Sequence, residues 1–192
     1  MNGKESLRKA IREGLASSPE GSCFLTEPLR LRIDASKTLF AFLSHGFEPD
    51  TAPILEYALA RGLTVGVPVV RGKDMAFRAI VGHEGPFVAG AFGIREPPPD
   101  SPELYPFRDP VWPALILVPG LAFGADGKRL GRGGGYYDRF LSSFLARYED
   151  MRREITLAGI CASRMVIDDI PVEPHDIRVD CLLTEKGCIL CV

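Results

Sequence analysis

The chain has 192 residues, 46% hydrophobic and 25% charged, which is enough apolar material for one sizeable core and too much for a disordered segment. A formal charge of -2 gives no overall pull toward nucleic acid, so any cationic site must be local. There is no run of eighteen apolar residues, and residues 1–15 are amphipathic and charged rather than a signal sequence, so a single cytoplasmic domain over residues 1–192 with no membrane segment is expected.

The first helix is predicted from Lys4 to about Leu15, where Leu7, Ile11 and Leu15 recur every four residues and Lys4, Arg8 and Arg12 form a second row at the same spacing. Cations one turn apart either face solvent or grip one phosphate, and charge pattern alone favours solvent. Residues 17–31, broken by Pro19 and Pro28, read as partly helical. Thr38 to Leu43 is an apolar run suited to a buried strand; Asp50 or Thr51 then caps a helix through Ile54, Leu55, Ala58 and Leu59 that Gly62 ends. Leu63 to Val70 is the next strand, and strand, helix, strand in succession implies a parallel crossover. The loop 44–48 lies where ligands of open α/β sheets bind, while His45 and His83 read as plain loop residues. The proline-rich segment 97–113 reads as a surface loop able to close over a site.

An apolar strand ends at Val118, and a glycine-rich stretch to Gly135 follows. Tyr137, Phe140, Leu141, Phe144, Leu145 and Tyr148 then step by three and four, so the loop ends at the N-terminus of an amphipathic helix. Gly133, Gly134 and Gly135 carry no Cβ, which lets the backbone turn with positive φ and aim successive amides at one anion, helped by the helix dipole. Lys128, Arg129, Arg132 and Arg139 outnumber Asp126 and Asp138 there, so a polyphosphate fits. The common phosphate signatures do not: Lys128 precedes Arg129 instead of Ser or Thr, and a GxGxxG frame begun at Gly131 ends on Tyr136. Tyr136 and Tyr137 can each stack on a flat ring, although the periodicity assigns Tyr137 to the core.

Two further strands are predicted, Thr156 to Cys161 and Cys181 to Thr184, with a turn near Asp168 and Asp169 between them. Cys23, Cys161, Cys181, Cys188 and Cys191 are odd in number and lie mostly among apolar neighbours, which suits reduced thiols. Cys188 and Cys191 have metal-knuckle spacing without a second pair, so they read as the end of a buried strand.

The run GKRLGRGGGYYDRFL (residues 127–141), preceded by VPGLAF, resembles the signature of the 5-formyltetrahydrofolate cyclo-ligase family. Flanking segments agree along almost the whole chain: Lys4 with Leu7-Arg8, Val67-Pro68, Met75 to Arg78, Gly93-Ile94-Arg95-Glu96-Pro97, and the Pro171, Glu173, Asp176 and Asp180 layout before Thr184-Glu185. The expected fold is a single three-layer α/β/α domain with a mostly parallel sheet, resembling the sugar-phosphate isomerase and CoA-transferase-like group. The implied reaction is ATP-dependent ring closure of 5-formyltetrahydrofolate to 5,10-methenyltetrahydrofolate, with ADP and phosphate released.

The resemblance implies ATP contacts at Lys4, Arg8, Arg129, Leu130, Gly131, Arg132, Gly133, Gly134, Gly135, Tyr136 and Tyr137, with Lys4, Arg129 and Arg132 acting on the transferred phosphoryl group. It implies folate contacts at Leu43, Glu48, Met75, Phe92 and Tyr136, and Mg²⁺ at Asp138 and Asp176. Three departures stand out: Arg164 in place of a common glutamine, Pro113-Ala114 where an aspartate is usual, and Gly124 where Asp usually follows the phenylalanine, with Asp126 close by as a substitute. The expected partners are two small molecules and no nucleic acid, and the expected state is a monomer. Two rivals remain: a non-catalytic nucleotide- or RNA-binding module, which calls for more basic surface than a near-neutral chain carries, and a sugar-phosphate isomerase of the same fold, which would bind no ATP.

Overall fold

The computed structural model describes residues 3–15 and 25–191, so Cys23, Pro19 and most of the stretch read as partly helical lie outside the described residues. The first half of the chain runs α1 (Gly3–Leu15), α2 (Glu27–Asp34), β1 (Thr38–Phe40), α3 (Ala52–Ala60), β2 (Thr64–Arg71), β3 (Asp74–Ala79), β4 (Val88–Ala89) and β5 (Arg95–Glu96). The second half runs β6 (Ala114–Val118), β7 (Ala122–Phe123), β8 (Arg129–Leu130), α4 (Tyr136–Arg147), β9 (Ile155–Ile160), β10 (Cys181–Thr184) and β11 (Gly187–Leu190). Among the described residues no helix is long and apolar enough to cross a membrane.

Seven strands form one sheet in the order β11-β10-β9-β6-β1-β2-β3. The inner five run parallel, and an antiparallel hairpin closes each edge, β2 with β3 and β10 with β11. β1 lies between β2 and β6, so the chain winds outward in one direction to β3 and then in the other to β11. That reversal is the switch point, where the loops leaving neighbouring strands part and leave a crevice.

Side chains alternate across the sheet because successive residues of a strand point to opposite faces. Leu115 and Leu117 of β6 pack with Leu29 and Ile33 of α2 and Ile54, Leu55 and Ala58 of α3. Ile116 and Val118 pack on the other face with Phe140, Leu141 and Phe144 of α4. Two buried clusters on opposite faces make the three layers that the strand and helix succession predicts. Phe40, Phe77, Phe140 and Phe144 meet mostly edge-on, with Phe40 to Phe144 centroids 5.5 Å apart, and each such ring contributes roughly 1.5–3 kcal/mol through burial. α1 belongs to neither layer. Its Leu7 and Ile11 pack on a small third cluster of Leu121, Ala122, Leu130 and Ile170, built around the β7–β8 hairpin.

Two expectations, for segment 97–113 and for Cys188, are corrected, and two readings are refined. The α3 cap is shared: the Asp50 carboxylate accepts the Ala52 amide at 3.0 Å, while the Thr51 hydroxyl donates to the Phe42 carbonyl and ties the helix start to the end of β1. Met75 to Arg78, read only as a motif, lies in edge strand β3. Segment 97–113 is no lid: the Phe77 amide donates to the Tyr105 carbonyl, the Leu104 amide to that of Phe77 and the Ala79 amide to that of Pro102, so the segment covers the outer edge of β3 and buries Tyr105. Cys188 lies in edge strand β11 and is only half-buried, as is Cys191 just beyond it, rather than in a buried strand end.

Candidate active site

A cavity of about 430 Å³ opens at the switch point, within the size range of small-molecule sites. The loop after β1 brings Leu43 and Glu48, the segment after β6 brings Pro119 and Gly120, and the glycine loop with the first turn of α4 brings residues 131–138. α1 closes one side with Lys4 and Arg8, and the 173–176 segment adds Glu173, His175 and Asp176. Leu43, Pro68, Met75, Phe92 and Ile94 make an apolar wall across from these charges. Every residue implied for ATP, folate or metal borders this cavity except Leu130. It points away into the cluster beneath α1, fully buried, because adjacent residues of β8 face opposite ways and Arg129 takes the cavity side.

The three consecutive glycines are needed for two different reasons. Gly133 has φ +105° and Gly135, the N-cap of α4, has φ +68°, values that side chains with a Cβ rarely adopt. Gly134 does not turn with positive φ, contrary to expectation; a Cβ there would lie 2.9 Å from the Tyr136 ring, so the position needs space. Among the described residues none of these three amides finds an acceptor, which leaves them available to an anion at the helix N-terminus. Two arginines of α1 brace the loop from behind: Arg8 Nε donates to the Gly131 carbonyl at 2.9 Å and Arg12 to that of Arg132 at 3.1 Å. Of the other loop cations, Lys128 is held by Asp126, and Arg139 by the Lys73 and Gly134 carbonyls.

Four ion pairs, two of them made by Lys4, join the charged residues of the cavity. Lys4 Nζ lies 2.5 Å from Asp176 and 3.1 Å from Glu173, Arg129 lies 2.6 Å from Asp138, and Arg132 lies 2.9 Å from Glu48. All but the Lys4–Glu173 contact couple a cation implied for ATP to a carboxylate implied for metal or folate. Buried charge left unpaired is costly, so these pairs neutralise the walls until a ligand takes over one partner. Burial raises the Glu48 pKa above the ordinary glutamate value, against the opposing pull of Arg132 and the His45 amide. Burial also works on Asp176, but its hydrogen bonds from Lys4 and the Glu173 amide outweigh it and hold the carboxyl below the ordinary aspartate value.

The apolar wall carries the rings. Phe92 sits at φ +59°, a conformation costing a bulky residue roughly 1–3 kcal/mol, and its ring meets Tyr136 edge-on at 5.9 Å. Tyr136 also donates to the Gly72 carbonyl and stacks beneath Arg139. Tyr137 is both core and wall: its ring packs near Phe140 and Arg129, and its buried hydroxyl has no protein partner among the described residues. Burial raises the Tyr137 pKa, so it stays a neutral donor facing the site.

Glu173, His175 and Asp176 offer donor atoms within 4.8 Å of one another. Oxygen donors from Asp176 and Glu173, with Asp138 in the same cavity wall, match what Mg²⁺ prefers. Glu173, His175 and Glu96 also border the cavity, which no local pattern in the sequence indicates, since only the packed chain brings them there. Of the departures, Ala114 is buried at the amino end of β6, away from the crevice, and Arg164 is exposed in a short turn. Asp126 folds over Gly124, where a Cβ would meet its carboxylate at 2.5 Å, and pairs with Lys128; it shapes the hairpin and does not border the cavity.

A family model described as the 5-formyltetrahydrofolate cyclo-ligase family matches residues 2–185. The 5-formyltetrahydrofolate cyclo-ligase of Mycolicibacterium smegmatis is 33% identical over 201 residues, covering 99% of this chain and 92% of the relative. Among solved structures, 5,10-methenyltetrahydrofolate synthetase from Aquifex aeolicus superposes with a TM-score of 0.73 at 27% identity, over 98% of this chain and 92% of the other. The enzyme of that name from Mycoplasma pneumoniae gives 0.63 at 19% identity, over 95% and 99%, and supports the fold alone.

Proposed function

Because the chain belongs to the 5-formyltetrahydrofolate cyclo-ligase family, we propose a division of labour within its cavity for the reaction it performs, the ATP-dependent conversion of 5-formyltetrahydrofolate to 5,10-methenyltetrahydrofolate. The observation that carries the proposal is the Arg132–Glu48 pair, which joins a phosphate-type half of the cavity to an apolar half through a largely buried carboxylate.

A formyl group on nitrogen is an amide, and its oxygen is a poor leaving group. In the proposed sequence the formyl oxygen takes the γ-phosphoryl group and ADP leaves. The neighbouring amine nitrogen then attacks the formyl carbon and loses its proton, and the C–O bond breaks to release phosphate and leave the methenyl cation. No covalent protein nucleophile is required, so the chain's work is positioning and charge neutralisation. The free amides of the glycine loop and Lys4, Arg8, Arg129 and Arg132 hold the phosphates; losing one well-aimed donor of this kind costs about 3 kcal/mol of transition-state stabilisation. Glu48 accepts the paired N–H groups of the pterin, while Leu43, Met75, Phe92 and Tyr136 flank its ring and exclude water. Asp138 and Asp176, with Glu173 beside the latter, would hold a Mg²⁺ that offsets phosphate charge when bound.

The proposed working unit is a monomer, and the free thiols of Cys161, Cys181, Cys188 and Cys191 support a reducing, cytoplasmic setting. With a formal charge of -2 and no overall basic excess, the chain is proposed to bind no nucleic acid. The test is to mix purified protein with 5-formyltetrahydrofolate and Mg-ATP and follow the methenyl chromophore and ADP. Equal amounts of both, and neither without ATP, are expected; folded protein that makes no product would overturn the assignment.

A further inference from the structure

We infer that Glu96 is a positioning residue that holds an aromatic flap over the folate half of the cavity, an inference that rests on the reading above. The flap is the β4–β5 ribbon, in which Val88 pairs with Glu96 and Ala89 with Arg95, joined by a short turn over Ala91–Gly93. At its tip the Phe92 side chain is 71% exposed in a left-handed backbone conformation, facing Tyr136 across the cavity wall. A bulky residue keeps such a conformation only where its surroundings enforce it.

Within the ribbon the turn closes on itself, the Gly90 amide donating to the Ile94 carbonyl and the Ile94 amide to that of Ala91. Among the described residues, one carboxylate oxygen makes the hydrogen bonds that tie it to the sheet. Glu96 Oε1 accepts the Val70 amide of β2 at 3.1 Å and the Ala91 amide, next to Phe92, at 3.4 Å. β1 stops at Phe40 opposite Gly66, so on that side β2 has no strand beside it at Val70, while β3 pairs its other side, and Glu96 supplies the acceptor that a longer β1 would have supplied. The fit is close: a Cβ on Gly90 would lie 2.4 Å from both Cγ and Cδ of Glu96. Among the described residues no cation forms an ion pair with Glu96, so what the two amides need is an acceptor oxygen and not a negative charge.

That distinction decides the test. Steady-state kinetics and calorimetric titration with 5-formyltetrahydrofolate would be run on the wild type, E96Q, E96A, F92A and the E96A/F92A double variant. E96Q keeps the acceptor and is expected within about twofold of wild type. E96A is expected to raise the folate KM roughly tenfold with the ATP KM unchanged, and to add little once Phe92 is already alanine. The inference is overturned if E96A behaves as wild type, if E96Q is as damaged as E96A, if both substrates are affected equally, or if the two alanine effects simply add. A wild type that binds folate but forms no product would remove the functional reading instead, and the titrations of E96Q and E96A would still decide the role of Glu96.

Discussion

α1 and α4 look alike as sequences, each an amphipathic helix of about three turns with cations on or before its first turn, yet they are held by different forces. α4 buries Phe140, Leu141 and Phe144 in the aromatic face of the sheet. α1 rests Leu7 and Ile11, both only half-buried, on a satellite cluster and is otherwise attached through Lys4, Arg8 and Arg12 to groups more than a hundred residues away. Both border the same cavity. One side of the proposed phosphate site is therefore anchored by apolar burial, which responds little to pH or salt, and the other by charged contacts that a ligand can exchange.

Five experiments, in falling order of effect, press on this contrast. Phe144→Ala should cost about 3–5 kcal/mol in denaturant unfolding because it leaves a cavity among packed rings. Lys4→Met should cost less, about 1–3 kcal/mol, since it strips Asp176 and Glu173 of their ammonium partner while sparing the core, yet it should raise the ATP KM at least tenfold. If Lys4→Met proves as destabilising as Phe144→Ala, the two helices are not held differently. Leu7→Ala should cost about 1 kcal/mol and raise the ATP KM only a few-fold, as expected of a half-buried contact.

The smallest effects are in pH dependence. Asp176 has a depressed folded pKa, so its pairing with Lys4 stabilises above the ordinary aspartate value and is lost as pH falls through the folded value. α1 docking should loosen only under strongly acidic conditions, and Lys4→Met should lack that acid-sensitive step in a pH series of unfolding curves. Glu48 has the opposite shift. Its raised pKa means that folate affinity should fall on acidification at a pH above the ordinary glutamate range, and Arg132→Ala, by removing a contact that lowers this pKa, should move the limb further up. An acid limb of the folate KM profile that stays put in Arg132→Ala would show that the two halves of the cavity are not joined through this pair.

Local patterns made much of this molecule legible. The α4 periodicity, the apolar runs of β1, β6, β9 and β10 and the glycines before Tyr136 are short-range signals, because burial of one face and freedom at φ act residue by residue along the chain. The resemblance of residues 127–141 and their flanks then pointed to a set of site residues of which all but Leu130 border the cavity. That the Leu130 side chain turns away is not legible locally, because a strand of two residues has no period from which its facing can be read. The attachment of 97–113 to the edge of β3 escaped the sequence for a related reason: its backbone bonds are made to a neighbour some 25 residues earlier, and composition shows only prolines.

Ion pairing lay furthest from sequence reading. Lys4 and Asp176 stand 172 positions apart, and Val70 and Glu96 meet across an open strand edge that exists only because β1 is short. Chemistry at the level of residue type, a phosphate loop and a lone carboxylate after the first strand, was written locally. Which charge neutralises which, and which acceptor holds the flap, depended on how two loops and a helix converge at the point where the winding of the sheet reverses, since contacts between distant residues leave no trace in the pattern of either segment.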